Sequence, residues 1–153
     1  MKLSILPVTP FQQNCSLIVC RQTMRAAFVD PGGDVDPLFE ALERSGATLE
    51  KVLVTHGHID HCGGVAEVAE RAGVPIEGPH RDDAFWIDQL DQQGRMFGVE
   101  GARGFTPDRW LIGGDGFVGS HLAADLSAMG EEVLVADIHQ SGHAHYAKVP
   151  FLN

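Results

Sequence analysis

Val52-Leu53-Val54-Thr55-His56-Gly57-His58-Ile59-Asp60-His61-Cys62-Gly63-Gly64 decides how this chain is read. Three consecutive apolar residues form the centre of a buried strand, and the polar residues begin where the strand runs out. Three histidines and one aspartate then fall within six positions. Imidazole nitrogen and carboxylate oxygen are the donors that borderline divalent metals take, zinc above all. In extended backbone, side chains two apart point the same way, so His56 and His58 can face one point in space. Asp60 and His61 follow as the chain turns into a helix. They can face a second point nearby, and Asp60 can also hold a water. Open α/β sheets carry their sites at the C-terminal ends of strands, which is where this cluster stands.

Upstream of the cluster, Leu3–Val8 alternates apolar and polar residues like a strand, and 16–20 with 26–29 reads as an antiparallel hairpin. Asp30-Pro31-Gly32-Gly33-Asp34 is turn chemistry. A helix is expected next, with Asp36 as N-cap, Pro37 at its first position, Leu38, Phe39, Ala41 and Leu42 on its apolar face, and Gly46 as its stop. Downstream, Val65, Val68, Ala69 and Ala72 recur at helical spacing and Gly73 ends that helix. A short strand is expected over 74–76. A helix from Asp82 to about Gln92 should carry Phe85, Trp86 and Leu90, followed by a glycine-rich loop over 94–106. Early strands followed by alternating helices and strands predict an α/β protein, a mixed sheet with helices on at least one face.

The chain has 153 residues, 44% of them hydrophobic, enough for a compact domain with its own core. A net charge of -10 argues against nucleic acid or an anionic membrane as partner. There is no apolar run long enough to span a membrane, and Met1–Pro7 is too short and alternating for a secretory signal, so a cytoplasmic location is expected. Cys15, Cys20 and Cys62 form no C-x-x-C pair and read as free thiols.

His56-Gly57-His58-Ile59-Asp60-His61-Cys62-Gly63-Gly64 resembles the signature of the metallo-β-lactamase superfamily. Ile5-Leu6-Pro7-Val8-Thr9, Gln13-Asn14-Cys15, Val29–Asp34, Arg95-Met96-Phe97-Gly98 and Thr106–Leu111 resemble its small bacterial glyoxalase II-type hydrolases, so the resemblance covers about residues 1–112. It implies a partial metallo-β-lactamase-like layer fold and a hydrolase similar to hydroxyacylglutathione hydrolases, acting on a small-molecule thioester. It also implies Zn2+, one or two ions, with iron or manganese as substitutes. In that family His56, His58 and a later histidine would hold one metal, and Asp60 and His61, with a distant aspartate and a last histidine, the second. The metals would polarise the thioester carbonyl and activate water; with one zinc only, Asp60 would instead position that water or take its proton. Asp30 would orient a ligand histidine from behind.

Members of that family are longer, with the site between two similar halves. From Trp110 onward this chain changes character. Gly113, Gly116 and Gly119 follow a strand and open a helix, and Asp137 closes a second strand eighteen residues beyond Gly119. That pattern resembles the dinucleotide-binding start of an extended short-chain dehydrogenase or epimerase, with the glycines on a pyrophosphate and Asp137 on the ribose of NAD. The expectation is a Rossmann-like βαβ segment over 113–153 beside a half-domain over 1–112. In a second reading of the same tail, His143 in His139-Gln140-Ser141-Gly142-His143 is the later metal histidine. Two functions are thus expected: a metal-dependent thioester hydrolase, weak or inactive where the second half is missing, or a non-catalytic metal- or dinucleotide-binding module.

Overall fold

The structure is a computed structural model that describes residues 1–111, 135–136 and 151–152. The chain divides into two compact units, Met1–Trp110 and Leu111–Asn153. In the first, β1 (Lys2–Val8), β2 (Gln13–Val19) and β3 (Arg25–Val29) form an antiparallel meander. Helix α1 (Val35–Ser45) then leads to β4 (Thr48–Leu53), which pairs parallel with β3. Helices α2 (Ile59–Cys62) and α3 (Val65–Ala72) lead to β5 (Ile76–His80), parallel to β4. A 3-10 turn (Arg81–Asp83), α4 (Ala84–Ile87) and α5 (Leu90–Phe97) precede β6 (Arg109–Leu111). The sheet order β1-β2-β3-β4-β5-β6 follows the chain. In the second unit β7 (Val135–Ala136) pairs parallel with β8 (Phe151–Leu152).

Helices α1 and α3, which connect the parallel strands, bury their apolar residues in one core with the sheet. Period-2 alternation supplies the sheet side of that core with Cys15, Leu17, Val19, Ala26, Phe28 and Val52, all buried. The helices answer with Val35, Leu38 and Leu42 from α1 and Val65, Val68 and Ala69 from α3. Glycines in the left-handed conformation stop both helices, Gly46 at φ 69° and Gly73 at φ 66°, where the sequence places them. No helix among the described residues is long and apolar enough to cross a membrane.

Four boundaries differ from expectation. Helix α1 starts at Val35 behind a left-handed Asp34, so Asp36 and Pro37 lie inside its first turn, where a missing N–H costs nothing. The strand expected over 74–76 begins only at Ile76, where the N–H donates to Asp108 Oδ2 at 2.8 Å. The helix expected over 82–92 is broken into three pieces, with Gln89 out of helical geometry between α4 and α5. The loop expected from Gly94 starts at Gly98, because Gly94 is a contact residue rather than a stop: a Cβ there would sit 2.8 Å from Ala102 Cβ.

Candidate metal centre

Strands β3 and β4 run parallel and side by side, so the residues following each emerge together at their C-terminal ends. Asp30 follows β3. It is 5% exposed, holds a left-handed φ of 53°, and donates its N–H to Leu53 O at 3.0 Å. Its carboxylate faces the segment that follows β4. Oδ1 accepts from Thr55 N–H at 2.8 Å, and Oδ2 accepts from Thr55 Oγ1 at 2.6 Å and from His61 Nδ1 at 3.0 Å.

These bonds fix the imidazole tautomers. A carboxylate only accepts, so the Thr55 hydroxyl must give its hydrogen to Asp30 and is left as an acceptor. His56 Nδ1, 3.0 Å from Thr55 Oγ1, must therefore be the donor in that pair. His61 Nδ1 likewise donates to Asp30. Both rings then point an Nδ1–H backward, and in the neutral form each keeps its lone pair on Nε2, the arrangement that ligand histidines adopt. The hydrogen bond to Asp30 is the main cause that raises the His61 pKa. Burial, then the neighbouring His61 and His58, lower that of His56.

The donors lie close together. Ring centroids of His56 and His61 are 4.0 Å apart, those of His56 and His58 4.7 Å, and Asp60 Oδ2 lies 3.5 Å from His61 Nε2. Local backbone makes this possible. A Cβ on Gly32 would land 1.7 Å from Asp60 O, one on Gly63 2.4 Å from Gly32 O, and one on Gly64 2.8 Å from Pro31 O. The Asp30–Gly33 turn and the start of α2 are thus pressed backbone to backbone, and Gly64 N–H donates to Pro31 O at 2.9 Å. Cys62 is fully buried and its thiol donates to His56 O at 3.0 Å, holding the histidine segment from below.

The structure thus brings His56, His58, Asp60, His61 and Asp30 together. Among the described residues no group of three or more His, Cys, Asp or Glu side chains is already set around one metal position. The chemistry of the donor set nevertheless fits a divalent metal: imidazoles, two of them backed at Nδ1, beside a carboxylate. His143, Gly113, Gly116, Gly119 and Asp137 lie outside the described residues. Three contributors escaped sequence reasoning. Thr55 links His56 to Asp30. Gln13 places Nε2 3.3 Å from His61 Nδ1 and leaves a buried Oε1 without a partner. Trp86 stacks its ring perpendicular to His58, at 5.2 Å between centroids. All three meet the cluster through tertiary contacts or hydroxyl chemistry that spacing does not reveal.

A family profile described as the metallo-beta-lactamase superfamily matches residues 8–146. The chain is 36% identical over 155 residues to a hydroxyacylglutathione hydrolase of Haemophilus influenzae, covering 99% of this chain and 70% of that protein. It is 35% identical over 114 residues to a hydroxyacylglutathione hydrolase of Chromohalobacter salexigens, covering 69% of this chain and 44% of that protein. Its fold is similar to the crystal structure of the BLEG-1 B3 metallo-beta-lactamase, with a TM-score of 0.61, 28% identity, and coverage of 72% and 53% of the two chains. It is also similar to TTHA1623 crystallised in a di-iron-bound form, with a TM-score of 0.63, 26% identity, and coverage of 72% and 55%. The chain therefore spans about half the length of three of these proteins and 70% of the Haemophilus one. Hydrolase similarity continues past residue 112, where the sequence motifs alone would end it.

Proposed function

The chain belongs to the metallo-beta-lactamase superfamily, with hydroxyacylglutathione hydrolases among its relatives, and from that premise we propose that it hydrolyses a small thioester at a metal centre built on His56, His58, Asp60 and His61. The observation that carries this reading is the hydrogen-bond fan on Asp30, which leaves Nε2 of both His56 and His61 free to bind a metal. His56 and His58 would bind one ion, with His143 as third imidazole; His143 falls inside the span of the family match. Asp60 and His61 would bind a second ion or, with one ion only, hold water. Zinc is the proposed metal, with iron or manganese as substitutes. The metal supplies Lewis-acid polarisation of a carbonyl and water acidic enough to ionise near neutrality.

The chain's own residues do the rest. Asp30 and Thr55 fix two rings in one tautomer before any substrate arrives. With one ion only, the Asp60 carboxylate, next to His61, takes the proton of the attacking water on an Oδ atom. The C–S bond breaks, the thiol leaves with a proton, and a carboxylic acid remains. The names of the curated relatives support a hydroxyacyl thioester of glutathione as substrate.

Metal content of the purified protein, measured by elemental analysis beside a His56→Ala/His58→Ala double variant, tests the centre, and thiol release from a hydroxyacylglutathione tests the reaction. About one or more zinc or iron per chain is expected, lost in the variant together with hydrolysis. No metal in either protein would refute the reading.

A further inference from the structure

Of the three clustered histidines, two are held by hydrogen bonds at Nδ1: His61 by Asp30 and His56 by Thr55. The His58 side chain makes no hydrogen bond among the described residues, and it is the most exposed of the three. Its ring is instead wedged between two perpendicular rings, His56 at 4.7 Å and 79°, and Trp86 at 5.2 Å and 90°. Trp86 is not there to fill the core, since it is 40% exposed. Its backbone is nonetheless held in place. Its carbonyl accepts from Gln89 N–H at 3.1 Å and from Gln93 Nε2 at 3.2 Å, and its ring meets Phe85 at 5.3 Å.

Gly57, between His56 and His58, is shaped to receive it. A Cβ on Gly57 would stand 2.9 Å from Asp83 O and 3.0 Å from Trp86 Cβ, so any larger residue would push α4 away from the histidine segment. Aromatic rings favour this perpendicular arrangement, which restricts rotation of the smaller ring.

We infer that Trp86 is the positioning residue of His58: ring packing does for His58 what hydrogen bonds do for His56 and His61. The inference rests on the proposed metal centre only for its consequence in binding, because the packing itself acts in the metal-free protein.

Two measurements on the full chain test it. In the metal-free protein, the His58 ring Cε1–H signal, assigned by its loss in His58→Gln, should shift and broaden in Trp86→Ala and stay near its place in Phe85→Ala. Titration with Co2+ should then show binding weakened about three- to tenfold in Trp86→Ala, and about unchanged in Trp86→Phe and Phe85→Ala. Trp110→Phe keeps Trp86 as the remaining tryptophan, and its fluorescence should be quenched as Co2+ binds. A His58 signal unmoved in Trp86→Ala would overturn the inference. So would equal weakening in all three variants, which would mark a general loosening of α4. Absence of Co2+ binding by the unaltered protein would instead count against the metal centre, and the metal-free signal would still decide the role of Trp86.

Discussion

Replacing Asp30 with Asn changes one atom of the carboxylate and reverses a chain of hydrogen bonds. Asn tolerates the left-handed backbone that Asp30 adopts, so the fold is not asked to move. Oδ1 of the amide can still accept from Thr55 N–H. The NH2 group then occupies the place of Oδ2, where it can only donate. It donates to Thr55 Oγ1, whose hydroxyl must turn and donate to His56 Nδ1, and it donates to His61 Nδ1. Both imidazoles move their proton to Nε2 and lose the lone pair that a metal needs. The bonds at 2.6 and 3.0 Å survive in number but lose their charge. Charged hydrogen bonds exceed neutral ones by about 1 kcal/mol each, so the variant should lose about 1–3 kcal/mol of stability. That corresponds to roughly 4–13 °C in Tm for a unit of this size. Metal affinity should fall at least about 10- to 100-fold, the usual loss when a group behind a ligand is removed. Competition with a chromophoric chelator measures the affinity, scanning calorimetry the Tm, and histidine 15N spectra of the metal-free protein the tautomers. Unchanged metal affinity in Asp30→Asn, or Nε2–H tautomers already present in the unaltered protein, would refute the reasoning.

Other outcomes follow from the same contacts. Gly32→Ala should lose about 3 kcal/mol or more, seen as loss of soluble folded protein, because its Cβ meets Asp60 O at 1.7 Å with backbone on both sides. Gly46→Ala, with the same added methyl in open space, should cost only about 1 kcal/mol in a urea titration, for the left-handed backbone alone. Of the three thiols, Cys20 should react first with Ellman's reagent in native protein. It is exposed and its pKa is lowered by a hydrogen bond with Thr23, whereas burial raises those of Cys15 and Cys62. Asp108→Ala should cost about 1–2 kcal/mol and speed hydrogen exchange at the Ile76 amide, because Asp108 Oδ2 accepts from that N–H while Asp108 N–H donates to Ile76 O at 2.9 Å.

The parts of this molecule that read directly from sequence are those whose information is local. Alternation over 3–8, the apolar runs at 16–20 and 26–29, helical spacing over 65–72, and Gly46 and Gly73 as stops each concern neighbours within a turn or a strand. The break between α4 and α5 did not read, because Phe85, Trp86 and Leu90 fit one helical face as well as two. What divides them is tertiary: Ile87 and Leu90 are both buried, while Phe85 is exposed and Trp86 packs against His58. The site divides in the same way. His56, His58, Asp60 and His61 were legible because a metal demands donor types at close spacing. The groups that orient them were not, for Asp30 lies 25 residues from Thr55 and 31 from His61 in the chain. Asp30 stood out only through its family resemblance. Glycine shows the difference most clearly. Asp-Pro-Gly-Gly reads as a turn, but the stronger requirement of Gly32, Gly63 and Gly64 is mutual: a Cβ on any of them would meet backbone of the other segment. Glycines some thirty residues apart therefore encode one contact, and that contact sets Asp30 against His61.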